Sequence, residues 1–144
     1  MHLLIEFSAT SSCSDISIVG KHNNQIIYNQ PLSIRMPNLS YDIDNLEHKH
    51  QIQLIMSNKQ PCHTVVDSQN QIVADSSMCV DSICFDTIDV TNLFCQGQAG
   101  YTHNFNGTKP LFTDEFFGVM GCNGTVNINF YTPIHVWFLD HLHQ

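Results

Sequence analysis

The sequence is poor in charge, and poorest in positive charge. Lys21, Arg35, Lys49, Lys59 and Lys109 stand against 13 acidic residues, for a net charge of -8. Five scattered cations cannot supply the phosphate contacts that dominate nucleic-acid affinity, which argues against nucleic acid as a partner. No apolar run approaches the ~18 residues of a membrane span, and "MHLLIEFSAT" lacks the basic stretch that opens a secretory signal. The expectation is a chain made in a cytoplasm and not inserted into a membrane. There is no C-x-x-C pair for a closed zinc site and no glycine-rich phosphate loop. Repeats, low-complexity segments and linkers are missing too, so residues 1–144 are expected to form one domain, long enough to bury a core without metal or disulfide staples.

What is present is neutral polarity. Amide and hydroxyl side chains far outnumber the charged ones, and such a surface suits sugars and protein neighbours. Six cysteines (Cys13, Cys62, Cys79, Cys84, Cys95, Cys122) are expected to be free thiols in a chain without a signal. The sequons at Asn38, Asn106 and Asn123 carry weight only with secretion.

Period-two patterns recur along the chain. Leu3 to Phe7 is short and apolar, "DISIV" and "IIYNQPL" flank the turn "GKHNNQ" as a hairpin, and "QIQLIM" alternates. "HTVVD" and "IVAD" form a second hairpin about Ser68–Gln71, and "TVNINFY" is a half-buried strand. Residues 34–50 read as a loop, and Gly97 to Gly124 as a long aromatic-bearing loop region. For the tail "TPIHVWFLDHLHQ", the alternation of Ile134, Val136 and Phe138 favours extended structure over a helix starting at Pro133, with Trp137 in the core. Seven to nine strands with hairpin turns imply an all-β fold, an antiparallel β-sandwich of jelly-roll-like form.

The densest chemistry lies in "ADSSMCVDSICFDTIDV", with Asp75, Asp81, Asp86 and Asp89 and no lysine or arginine between Lys59 and Lys109. Strict alternation puts Asp81 on the face of Ile83 and Phe85, where a carboxylate needs a partner: backbone N–H groups, a distant histidine or a cation. Calcium takes about six to eight oxygens, often from loop aspartates. The competing reading is that these aspartates end strands and cap turns.

The stretch "DSSMCVDSICFDT", preceded by "HQIQLIMSN", resembles the core of the calcium-dependent xylan-binding carbohydrate-binding modules. In that pattern an acidic residue precedes an "NL-x-VD-x-I-x-V-N-G" strand. Val80, Asp81 and Ile83 match in register and Asp86-Thr87 stands in place of Asn-Gly, while Ser76, Ser77 and Met78 depart from it. The resemblance implies a β-sandwich, glycan as a partner, and calcium as a cofactor with Asp75 and Asp81 as ligands, joined by Asp86 as a third candidate.

Three further groups complete the candidates. His48 and His50 share a strand face, a spacing repeated by His141 and His143, and two imidazoles bind a transition metal if a third ligand such as Cys62, His63 or His135 joins them. That combination would suit a cupin-like metal enzyme. No local signature positions a base and oxyanion donors for a cysteine nucleophile. Tyr101, His103 and Asn106 in "GYTHNFNGT" combine flat rings with amide donors, as ligand-binding and assembly surfaces do. The chain as a whole reads as a non-enzymatic binding or assembly protein. A virion structural or adhesion subunit (phage decoration, baseplate or fibre-associated), docked to other subunits, is the leading expectation, and a calcium-dependent carbohydrate-binding module the alternative.

Overall fold

A computed structural model describes residues 1–141. It is the antiparallel β-sandwich expected from the sequence, assembled from more and shorter strands. One sheet has the order β12–β8–β1–β4, from Val119–Met120, Met78–Phe85, His2–Ala9 and Leu39–Asp42, with β9 (Ile88–Asp89) also pairing with β8. The other has six strands, β11–β10–β13–β5–β2–β3, from Phe112–Glu115, Gly100–His103, Gly124–Thr132, His48–Ser57, Cys13–His22 and Gln25–Leu32. A separate hairpin joins β6 (Thr64–Val66) to β7 (Ile72–Asp75).

The core forms because alternate residues of facing strands are apolar. Leu3, Ile5 and Phe7 of β1 and Ile83 and Phe85 of β8 meet Ile16 and Ile18 of β2, Ile52, Leu54 and Met56 of β5, and Val126, Ile128 and Phe130 of β13, all buried. Each contributes roughly 1.5–3 kcal/mol by leaving water. Phe85 and Phe130 bridge the two sheets with ring centroids 4.7 Å apart. The hairpin β2–β3 turns through Asn23 and Asn24 alone, both in the left-handed region (φ 45° and 71°), which the short amide side chain tolerates.

Three expectations are corrected. The supposed loop 34–50 contains β4, which closes one edge of the first sheet through the register Leu3↔Tyr41. The region from Gly97 to Gly124 holds β10, β11 and β12. The tail is the helix α1 (Ile134–His141), which buries Ile134, Trp137 and Phe138. That i, i+3, i+4 spacing outcompetes the alternation of Ile134, Val136 and Phe138, because Val136 ends up exposed. His143 lies outside the described residues.

Candidate functional site

The acidic stretch is organised by a β-bulge. In the pairing of β8 with β1, Ser82 opposes Glu6 and Val80 opposes Phe7, which leaves Asp81 as the extra residue. The bulge lets Val80 and Ile83 both enter the core and turns Asp81 out to solvent, so the strict alternation that placed Asp81 inward fails. Its carboxylate accepts a hydrogen bond from Ser8 Oγ at 2.9 Å.

Asp75 ends β7 and has a lysine as partner. Lys59 Nζ donates to its Oδ1 at 2.6 Å, Thr64 Oγ1 to the same oxygen at 2.7 Å, and Ser77 Oγ to Oδ2 at 3.4 Å. Burial alone would raise the pKa of Asp75, but the Lys59 and Thr64 hydrogen bonds and the Lys59 charge outweigh it and hold the carboxyl below its ordinary value. Asp86 sits in the turn after β8, where its Oδ1 accepts the backbone N–H of His2 at 2.8 Å.

Asp75 precedes β8 and Asp86 follows it, so at ~3.3 Å per residue they stand more than about 20 Å apart. Oxygens that share a calcium ion lie within about 5 Å of each other, given bonds of roughly 2.4 Å. The three aspartates therefore do not fit one calcium ion. Asp67 and Asp89 serve as turn caps: Asp67 Oδ1 accepts the N–H groups of Gln69 and Gln71, and Asp89 Oδ1 accepts the N–H and hydroxyl of Thr91, which lowers its pKa.

Tyr101 and His103 are brought together, facing inward. Both are buried on β10, with centroids 4.5 Å apart, and His103 also packs on Phe105 and Phe112. The Tyr101 hydroxyl donates to Cys122 O and accepts Cys122 N–H at 3.0 Å, and burial pushes its pKa up. Asn106 stays exposed and closes a loop, its Oδ1 accepting Asn123 N–H at 2.8 Å.

Two constellations were not read as such from the sequence. Cys13, Asp15 and His63 bring one ligand atom each within 4.8 Å of one another, beside a cleft of about 630 Å³ that Cys62 also lines. The ring of His63 settles what this trio does. Its Nδ1 accepts the backbone N–H of Gln60 at 2.9 Å, so the ring proton is on Nε2 and points at Cys13 Sγ, 3.3 Å away. A metal-bound histidine normally has the opposite arrangement, with its free nitrogen donating. The trio is thus a hydrogen-bonded thiol–imidazole pair, and because Nε2 already carries the proton, His63 is not placed to take one from Cys13.

The second is a chain of hydrogen bonds through His22 and His50. Thr132 Oγ1 donates to the carbonyl of Leu46 and therefore accepts from His50 Nε2 at 2.9 Å. That leaves His50 Nδ1 to accept from His22 Nε2 at 2.8 Å, and His22 Nδ1 to accept from the Tyr41 hydroxyl at 3.2 Å. Both imidazoles are neutral in this chain. Burial lowers the pKa of each, and for His50 the nearby His22 and His48 lower it further, against Asp44. His48 shares the face of His50 as expected, but His50 is spent on this chain.

Next to it lies an open groove of about 550 Å³, lined by Asn23, Gln51, Asn129, Tyr131, Trp137 and His141 among others. Trp137 stacks on His141 at 4.4 Å and on Phe94 at 5.4 Å. Gln51 and Asn129 also belong to an amide ladder across β5 and β13, where Gln51 Nε2 donates to Asn129 Oδ1 at 3.2 Å and Gln53 Nε2 to Asn127 Oδ1 at 3.0 Å.

No family model matches the sequence, and no curated protein matches it. Among solved structures, vCBM60 in complex with galactobiose superposes with a TM-score of 0.54 at 10% identity, over 90% of this chain and 99% of that one. The selenomethionine form of vCBM60, a structure tied to a circular permutation that links two families of calcium-dependent carbohydrate binding modules, aligns over 88% of this chain and 87% of that one with a TM-score of 0.47 at 10% identity. The resemblance carried by Val80, Asp81 and Ile83 thus extends to the architecture: this chain has the β-sandwich fold of a carbohydrate-binding module.

Proposed function

We propose that this protein is a non-catalytic domain that binds neutral glycans along the outer face of the six-stranded sheet. One observation carries the reading: the amide ladder of Gln51, Gln53, Asn127 and Asn129 runs into the groove beside Tyr131 and Trp137. Amides donate and accept at once, as sugar hydroxyls do, and an uncharged ladder favours uncharged sugars. The groove adds an apolar edge against which the C–H side of a pyranose packs.

Affinity electrophoresis against neutral polysaccharides, galactans and xylans included, tests this. Binding is expected, weakened at least tenfold by Asn129→Ala and by Gln51→Ala; binding that ignores both substitutions overturns the proposal. Calcium, which the resemblance implies, is tested in the same gels with and without EDTA. Because Asp75 and Asp86 stand at opposite ends of β8 and each of the three aspartates has its own partner, binding is expected to survive the chelator.

A second reading, the subunit of a virus particle, draws support from the hairpin β6–β7, which exposes Val65, Val66, Ile72 and Val73 by about half or more. Apolar exposure of this kind suits contact with other subunits. Light scattering across a concentration series tests it: a monomer at all concentrations that stays monomeric in Val73→Lys removes self-assembly from this reading.

A further inference from the structure

The resemblance to calcium-dependent carbohydrate-binding modules implies a calcium ion near Asp75, and the structure has an ammonium there. We propose that Lys59 is the built-in cation of this domain, holding through its side chain the loops that a bound metal ion would otherwise organise.

Lysine is almost never fully buried unless paired, yet the Lys59 side chain is only 1% exposed. Its Nζ donates to Asp75 Oδ1 at 2.6 Å and to the carbonyl of Gly121 at 2.5 Å. A carboxylate and a backbone carbonyl are the donor types a hard cation takes. The backbone of Lys59 is fixed as well: its N–H donates to Asn123 Oδ1 at 2.8 Å, and Asn123 Nδ2 donates back to its carbonyl at 2.9 Å. Through Asp75 the contact reaches Thr64 and Ser77. One positive charge therefore ties together the segment after β5, the hairpin β6–β7 and the loop before β13.

Ligand count separates the ammonium from calcium. An ammonium has three N–H groups to place, and two are used here. Calcium needs six to eight oxygens. This cage offers the two oxygens of Asp75, one carbonyl and the hydroxyls of Thr64 and Ser77, and both hydroxyls already donate to Asp75. A divalent ion at Asp75 would also sit about 5 Å or less from the ammonium, with the only carboxylate in the cage already neutralised.

Thermal melting of the full chain tests the proposal. The wild type is expected to melt at the same temperature in EDTA as in millimolar calcium. Lys59→Met, which keeps an apolar stem but removes the charge, is expected to lower Tm by roughly 10 °C, as breaking a buried pair does. Lys49→Ala, an exposed lysine, is expected to leave it unchanged. Adding Asp75→Asn to Lys59→Met is expected to restore part of the loss, because no lone buried charge remains. If Lys59→Met does not fold, Asp75→Asn alone carries the comparison with the wild type. Millimolar n-propylammonium, which replaces the missing part of the side chain, is expected to raise the Tm of Lys59→Ala but not of the wild type. A calcium-dependent rise in wild-type Tm that Asp75→Asn abolishes overturns the proposal, as does a Lys59→Met protein as stable as the wild type. No readout involves a glycan, so failure here is distinct from failure of the binding proposal.

Discussion

Acidification should loosen the sandwich at one identifiable place, the chain from Tyr41 through His22 and His50 to Thr132. The chain runs in one direction only, set by Thr132 giving its proton to Leu46 O. The 2.8 Å gap between His22 Nε2 and His50 Nδ1 holds a single proton. Protonating His50 at Nδ1 puts two N–H groups into that gap, so one hydrogen bond is lost and a charge is left beside Phe130, whose ring stacks on His50 at 5.3 Å, whereas a proton added to His22 goes to Nδ1 and faces the Tyr41 hydroxyl. The pKa of each histidine is lowered on folding, so the unfolded chain binds the proton more tightly. Stability from this source is therefore complete above the unfolded value near 6.5, falls as pH drops below it, and levels off below the folded value.

The magnitude follows from what is broken. One buried hydrogen bond with an unsatisfied donor costs about 1–3 kcal/mol, and His22, being less buried than His50, counts towards the lower end. That corresponds to roughly 3–10 °C in Tm. Urea denaturation at pH 7.5, 6.0 and 5.0 measures it, with His50→Leu as the comparison. The variant is expected to be less stable at pH 7.5, since it orphans the His22 donor, and to lose less on acidification than the wild type. Contributions common to both proteins cancel in the difference between the two slopes, which is the readout. Equal slopes would refute the reasoning.

Two smaller perturbations probe other contacts. Tyr101→Phe removes a hydroxyl that both donates to and accepts from Cys122, and is expected to cost about 1–3 kcal/mol in urea denaturation, a large effect for one oxygen atom. A thiol reagent on the native protein should label Cys62 before Cys13, Cys79, Cys84, Cys95 and Cys122, because Cys62 is the exposed cysteine and burial raises the pKa of four of the others. Peptide mapping after brief labelling checks the order, and equal labelling of all six would contradict it.

Strand positions were legible wherever alternation was uninterrupted. The residues 51–56 and 125–131 show their buried faces directly, and the turns in "GKHNNQ" and at Ser68–Gln71 mark both hairpins. What alternation could not show was a register shift. The bulge opposite Glu6 and Phe7 depends on a pairing between residues more than seventy apart, and it alone decides that Asp81 faces water. The tail was misread for a related reason: two periodicities coexist in "IHVWFLD", and only packing on β13 and Phe94 selects the helical one.

The candidate site was half legible on the same grounds. Alternation pointed to Asp81 as the carboxylate in need of a partner, and only the family resemblance singled out Asp75, which has no lysine or arginine within fifteen residues. Its partner was in plain sight as one of only five basic residues, but 16 positions away and outside any motif. A chain this poor in lysine has little reason to bury one unless the charge is required there. The scarcity of positive charge that first argued against nucleic acid therefore also identifies the cation this fold keeps for itself. The polar residues of the sheet β5–β13 are legible in the opposite way: as strand residues they look like ordinary solvent-facing positions, and only the cross-strand registers Gln51↔Asn129 and Gln53↔Asn127 turn them into a continuous surface. A polar face made of amides leaves no motif in the sequence, because its unit is a pair of residues on neighbouring strands.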